Sequence, residues 1–227
     1  VCINGEDYKR ATDRFHAKKV VQIPGVGIRS KEIEDVVIDV SQKRKNLGLP
    51  ADRIVILSVG EMTKNKNQEL ILRMVAEYKK KGGSICYALC GRGAEESRLR
   101  KLTAELGIED EVKFLGYHKD IYEIYKMADI FVFPSLREGM PVALMEAMAS
   151  GLPVICSNIR GNRDLLVDQE GGVLVEGHKL DDYVKALEWT IEKKDHWKQM
   201  GEYNQKRAEQ FDREHVIGVM EKVYKEL

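Results

Sequence analysis

The chain has 227 residues, 43% of them apolar, enough for one large or two small domains with a substantial core. Lys+Arg and Asp+Glu number 37 each, a balance that argues against a nucleic-acid binder and gives no support for an anionic membrane surface. No apolar run approaches the roughly 20 residues that span a bilayer and no signal peptide stands out, while the start on Val1 rather than Met leaves room for a preceding segment.

Residues 1–4 read as the end of a strand, 6–18 as a helix and 20–23 as a strand, followed by the turn Pro24-Gly25-Val26-Gly27. This front piece is too small for a domain and looks like the tail of a preceding one plus a hinge. From residue 53 strands and helices alternate. Residues 53–59 (RIVILSV) form the continuous apolar run expected of a strand covered on both faces. Residues 67–81 place Leu70, Ile71, Met74, Val75 and Tyr78 at helical spacing, and Gly82-Gly83 closes the helix. Residues 84–90 are a second strand, 95–106 a charged amphipathic helix closed by Gly107, 112–115 a short strand and 121–127 a short helix. A strand at 130–134, a helix from about Pro141, a strand at 153–157 and a last strand at 172–175 follow. Helices at 180–194, about 195–210 and 213–227 then run on without strands between them. Strict alternation predicts an α/β, Rossmann-like parallel sheet flanked by helices, with extra C-terminal helices. Ligands of such sheets bind outside the carboxyl ends of the strands. Here those ends are the loops 58–63, 91–94, 116–119, 134–139 and 157–161, expected to line one cleft.

The four cysteines, Cys2, Cys86, Cys90 and Cys156, are separated too widely for a C-x-x-C motif, and no histidine lies near them. They read as small buried apolar residues in a reducing cytoplasm.

Four constellations bear chemistry. In the segment 134–161 (PSLREGMPVALMEAMASGLPVICSNIRG) Glu138 and Glu146 stand eight residues apart, with Gly139, Met140 and Pro141 where a helix begins. Such a loop presents backbone N–H groups and a helix N-terminus to an anion. A carboxylate one to two turns further in can accept hydrogen bonds from neighbouring hydroxyls. Phosphate beside a diol is the outline of a nucleotide sugar. The plainer reading has Glu138 balancing the helix dipole and Glu146 solvated, although its apolar flanks call for a partner. In the loop 60–67 (GEMTKNKN), which opens on Gly60, Lys64 and Lys66 can reach an anion at the strand end, or be a solvated pair at a helix start. Gly91-Arg92-Gly93 has Glu96 where a dinucleotide fingerprint has its last glycine, and no P-loop occurs. Gly116-Tyr117-His118 can flank a nucleobase or be a simple exposed turn. His16, His178, His196 and His215 read as surface residues, and Ser135 lacks a G-x-S-x-G context.

The stretch Glu138-Gly-Met-Pro…Glu146-Ala-Met-Ala-x-Gly-x-Pro-Val-Ile resembles the E-x7-E signature of the C-terminal domain of GT-B-fold retaining glycosyltransferases of family 4, a group that includes capsular and exopolysaccharide enzymes. SVGEMTKNKN at 58–67, FLGYHKDI at 114–121 and SNIRGNRDLL at 157–166 support it, as do NGEDYKRA and VVQIPGVGI at the front and the final FDREHVIGVMEKVYKEL. The resemblance implies residues 1–26 as the remnant of an N-terminal domain with its hinge. Residues 27–227 are then a nucleotide-sugar-binding domain whose C-terminal helices start at about 180. It implies that Glu146 holds the ribose hydroxyls of the donor, that Glu138 is the catalytic-site carboxylate near the sugar, and that Gly139, Met140 and Pro141 shape the sugar and diphosphate site. Lys66 matches the lysine that neutralises the diphosphate. Tyr117 and His118 fall where the base is gripped, with Gly60 and Gly91 lining the donor site. Glu61 departs from the family, which often carries an arginine there; Lys66, helped by Lys64, must then carry more of the charge.

The expected substrate is a nucleotide sugar, by default a UDP-sugar, with no cofactor and no metal. The acceptor is a saccharide or a lipid-linked saccharide held by the N-terminal domain. The polypeptide alone is expected to bind nucleotide and transfer nothing, in the cytoplasm, with peripheral membrane association a property of the full protein. A nucleotide-sugar epimerase or hydrolase of the same architecture and a non-catalytic nucleotide-binding module are the competing readings.

Overall fold

The structure, a computed structural model, describes residues 1–225. In chain order its elements are α1 (Gly5–Arg14), α2 (Ser30–Glu34), α3 (Val40–Asn46), β1 (Ile54–Val59), α4 (Gln68–Lys80), β2 (Ile85–Cys90), α5 (Glu96–Glu105), β3 (Val112–Gly116), α6 (Ile121–Lys126), β4 (Ile130–Phe133), α7 (Val142–Ala149), β5 (Val154–Ser157), α8 (Asn162–Leu165), β6 (Gly172–Val175), α9 (Leu180–Glu192), α10 (Trp197–Ala208) and α11 (Arg213–Lys225). The strands form one parallel sheet in the order β3-β2-β1-β4-β5-β6. The chain builds outward from β1 to β3, then returns to the other side of β1 with β4. Strand order therefore reverses between β1 and β4, where a parallel α/β sheet opens a crevice at its carboxyl edge.

Alternation along each strand explains the continuous apolar runs. In β1, Val55 and Leu57 join Cys86, Ala88, Phe131, Phe133 and Val154 in a core closed by Leu144, Met145 and Met148 of α7. Ile56 faces the other way, with Tyr87, Leu89, Ile130 and Val132, against Leu72 and Met74 of α4 and Tyr183 and Leu187 of α9. Both faces are thus buried, as parallel sheets require. Helix α10 lies on α7. Its fully buried Asn204 donates through Nδ2 to the carbonyls of Leu152 (2.8 Å) and Gly171 (2.7 Å).

The two ends of the chain meet. The Ile28 amide donates to the Phe211 carbonyl at 2.9 Å and the Arg213 amide to that of Ile28 at 2.7 Å. Ser30 Oγ donates to Asp212 Oδ2 at 2.6 Å. At the front, Asn4 caps α1 by accepting from the Asp7 amide, and the Gly5 amide donates to Asp164 Oδ2 at 2.7 Å.

Several boundaries differ from the sequence expectations. Helix α1 stops at Arg14 instead of 18, because Phe15 turns extended and is 63% exposed, so a further turn has nothing to pack against. The strand expected at 20–23 is one bridge, Cys2 to Gln22. The strand expected through Pro134 ends at Phe133, and Pro141 caps α7 from outside with ψ 120°, one position earlier than a first-turn proline. The last helix, expected to 227, is described to Lys225, and residues 226 and 227 lie outside the described residues.

Helices α2, α3 and α8 were not anticipated. In α3 the one buried side chain is Arg44, so no apolar period marks the helix. Arg44 donates through Nε to the Met127 carbonyl (2.8 Å) and through Nη2 to Asp129 Oδ2 (2.8 Å), which also accepts from the Val55 amide (2.7 Å). Arg44→Ala strands a half-buried carboxylate and a carbonyl, and is expected to cost about 2–3 kcal/mol in urea denaturation. A loss below about 0.5 kcal/mol would make the tie an ordinary surface pair.

Candidate functional site

The crevice between β1 and β4 is formed by the two loops that leave those strands. After β1 the chain runs through a 3-10 turn, Lys64–Lys66, and enters α4 from Asn67, which holds a left-handed conformation at φ 54°. After β4 it runs through Pro134–Met140 to the start of α7. The two loops bond directly. The Leu136 amide donates to the Asn65 carbonyl at 2.8 Å, Asn65 Nδ2 to the Arg137 carbonyl at 2.9 Å, and Asn67 Nδ2 to the Pro134 carbonyl at 3.4 Å. In the middle Lys66 Nζ donates to Glu138 Oε1 at 2.7 Å and lies 4.7 Å above the Phe133 ring. An ammonium has three donors, so this pairing leaves two for an anion. Lys64 does not join Lys66. It is exposed, beside Thr63, Glu95 and Arg98 around a separate depression.

Helix α7 starts at the same place without a side-chain cap, so its first backbone N–H groups have no intrahelical partner. Two further features fix the approach to it. A Cβ on Gly161 (φ 76°) would overlap the Gly139 carbonyl oxygen, so only glycine lets the β5–α8 turn close against that loop. Arg160, next to it, donates through Nε to the Glu138 carbonyl (3.2 Å) and through Nη1 to Asp7 Oδ1 (2.6 Å), tying α1 to the site loop. Sequence reasoning gave Arg160 no role, since its place at a strand end is the one signal it carries. His178, read as a surface residue, has Nε2 3.1 Å from the Ser135 carbonyl oxygen and braces the end of β4.

Glu146 lies in the second turn of α7, half-buried. The Tyr125 hydroxyl is 3.1 Å from both Glu146 Oε2 and the Ala143 carbonyl oxygen. Burial pushes the Glu146 carboxyl above its ordinary value, and the Tyr125 bond opposes the shift. The apolar flanks thus place this carboxylate where ionisation is costly.

A cavity of about 560 Å³ opens beside the crevice over the ends of β1, β2 and β3, lined by Gly60, Glu61, Gly91, Arg92, Tyr117 and His118 among others. A Cβ on Gly91 (φ 141°) would overlap the Gly60 carbonyl oxygen, which accounts for the glycine in the second loop. Tyr117 is 66% exposed at the rim, and His118 Nδ1 is 3.0 Å from Asp120 Oδ1. Glu61 is exposed, makes no ion pair among the described residues, and lines this cavity together with Arg92 and Lys119. The four cysteines are free, and burial raises the thiols of Cys86 and Cys90 to about 11. Among the described residues no three His, Cys, Asp or Glu side chains are grouped to hold a metal ion, and no helix is long and apolar enough to cross a membrane.

Comparison with known proteins gives a consistent answer. The family model described as "Glycosyl transferases group 1" matches residues 39–207. The chain is 31% identical over 193 residues to the UDP-Gal:alpha-D-GlcNAc-diphosphoundecaprenol alpha-1,3-galactosyltransferase of Escherichia coli, covering 82% of this chain and 49% of that protein. It is 30% identical over 189 residues to a D-inositol 3-phosphate glycosyltransferase of Corynebacterium aurimucosum, covering 80% and 45%. Its fold matches the crystal structure of Anabaena Alr3699/HepE in complex with UDP-glucose with a TM-score of 0.88 at 19% identity, over 100% of this chain and 63% of that one. The chain spans about half the length of the curated relatives it matches.

The raised carboxyl of Glu146 has a consequence for stability. Below the ordinary glutamate value both folded and unfolded chains are protonated there, and the group costs nothing. As pH rises through that value the unfolded chain ionises first, so stability falls until the raised folded value is passed. Glu146→Gln removes the cost. The variant is expected to melt above the parent at about pH 7 and with it at about pH 3. A variant that melts lower at both pH values would contradict the burial effect.

Proposed function

The chain belongs to the group 1 glycosyl transferases and carries the fold of the C-terminal half of GT-B enzymes, and on that premise we propose that it is the donor-binding part of an enzyme that moves a sugar from a nucleotide sugar to a saccharide or lipid-linked acceptor in glycan synthesis. One observation supports this reading: where strand order reverses, Lys66 is paired to Glu138, a few residues before the uncapped start of α7, so a cation and a set of free N–H groups belong to one crevice.

The chemistry follows from that convergence. Transfer breaks the bond between the anomeric carbon and the β-phosphate oxygen, and the departing nucleoside diphosphate gains negative charge. Lys66 and the N–H groups at the start of α7 stabilise that charge as it develops, which lowers the barrier without a metal. Glu138, paired to Lys66, borders the sugar. Gly139, Met140 and Pro141 shape the sugar and diphosphate site, and of the three only Gly139 and Met140 have a backbone N–H to offer. Glu146 accepts from the ribose hydroxyls, and the cavity of Gly60, Gly91, Tyr117 and His118 takes the base. The printed donor of the Escherichia coli relative, UDP-Gal, favours a UDP-sugar here. The acceptor is bound by a second domain of the kind that makes up the remaining length of the relatives, and transfer takes place in the cleft between the two, with retention at the anomeric carbon. The work is done on the cytoplasmic side, with peripheral attachment to the membrane through the other domain. A sugar-nucleotide epimerase, a hydrolase and a purely non-catalytic module gain nothing from these relatives, both of which are glycosyltransferases.

The role of Lys66 separates phosphate from nucleoside. Lys66→Ala is expected to weaken UDP by about 1.4–2.8 kcal/mol, roughly 10- to 100-fold by calorimetry, and to leave uridine within about twofold. Equal losses for UDP and uridine would put Lys66 outside the phosphate site.

A further inference from the structure

The third loop of the cavity holds a histidine by one nitrogen. His118 Nδ1 lies 3.0 Å from Asp120 Oδ1. Lys43, reaching over from α3, donates to Asp120 Oδ2 and, at 2.6 Å, to Glu123 Oε2. The Lys43 ammonium, with a smaller contribution from His118 and against the effect of burial, holds the Asp120 carboxyl down at about 2. Asp120 is therefore an ionised, acceptor-only partner at neutral pH. The nitrogen that faces it must carry the proton. A neutral imidazole protonated at Nδ1 has a lone pair at Nε2. Nε2 of His118 has no hydrogen-bond partner among the described residues, and His118 lines the cavity with Gly60, Cys90, Gly91, Arg92 and Tyr117.

We propose that His118 is a specificity-determining residue that accepts at Nε2 the hydrogen bond of a ring N–H of the donor's base, and that Asp120 is the positioning residue that sets the tautomer. This rests on the donor-site reading above and deepens it. A uracil joined to ribose has a single N–H donor, at N3. An acceptor aimed at it rewards uracil and opposes a base whose ring nitrogen brings a lone pair to the same place, as cytosine does. Lys43 and Glu123 complete the arrangement: the first keeps Asp120 ionised, the second shares the ammonium so that Lys43 stays in position.

Two measurements test it. Nitrogen-15 NMR of the ring in the nucleotide-free chain should show the proton on Nδ1 and a lone pair on Nε2. Asp120→Ala should move the proton to Nε2, the tautomer an unconstrained imidazole favours. A ring already protonated at Nε2 in the parent, or unchanged by Asp120→Ala, would overturn the positioning role. Calorimetry then compares UDP with its N3-methyl derivative, which lacks the donor. Methylation should weaken binding to the parent roughly 10-fold or more, and to His118→Ala by less than about threefold. A penalty of the same size in both proteins would overturn the inference while leaving the donor site standing. A parent chain that binds no UDP at all would sink the donor-site reading first and this inference with it.

Discussion

The reversal of strand order between β1 and β4 is the constraint on which the rest depends. Because β4 pairs on the far side of β1 from β2, the loops leaving β1 and β4 sit next to each other with no strand between them. Their backbones must find partners, and they find them in one another, through Asn65 to Leu136 and Arg137 and through Asn67 to Pro134. That mutual stapling fixes where Lys66 and Glu138 stand. It also brings the start of α7 to the same spot, since α7 follows the second loop directly. A change that loosened this seam would displace Lys66 and Glu138 before it was felt in the core.

Carboxylates at the site are handled in two opposite ways. Asp120 has the Lys43 ammonium and His118 Nδ1 beside it and stays ionised at low cost. Glu146 is set among apolar residues with one phenol for company, so the folded chain gives up stability to keep it there. Under the donor-site proposal, this charge held at a loss in an apolar helix is the acceptor for the ribose hydroxyls. In the Glu138–Lys66 pair each ion has its counter-ion, and the ammonium keeps donors in reserve.

Most of the sheet was legible because its strands are buried on both faces. RIVILSV and SICYALC admit few readings besides central strands, and β6 falls on the residues expected of it. The helices that cover the sheet show a clear apolar period for the same reason. What was not legible follows a physical rule too. Helix α3 is anchored by a buried arginine and not by a stripe of leucines, so its period is invisible in a hydropathy pattern. Helix α1 ends one turn earlier than expected because nothing in Phe15-His16-Ala17-Lys18 says that the apolar Phe15 is left exposed, with no surface to pack on. At the site, the convergence of Lys66 with Glu138 could be anticipated from two strand ends, whereas the division of labour between Lys64 and Lys66 depends on a single 3-10 turn that sends the two side chains apart. Arg160 and His178 act through backbone carbonyls of distant loops, a kind of contact that leaves no spacing in the sequence.

The most direct test of the whole reading is a crystal structure of this chain soaked with UDP. The expected density has the diphosphate in the crevice between β1 and β4, with its oxygens within about 3 Å of Lys66 Nζ and of the first amides of α7. A diphosphate bound elsewhere on the surface, or one that leaves Lys66 without a phosphate contact, would contradict it.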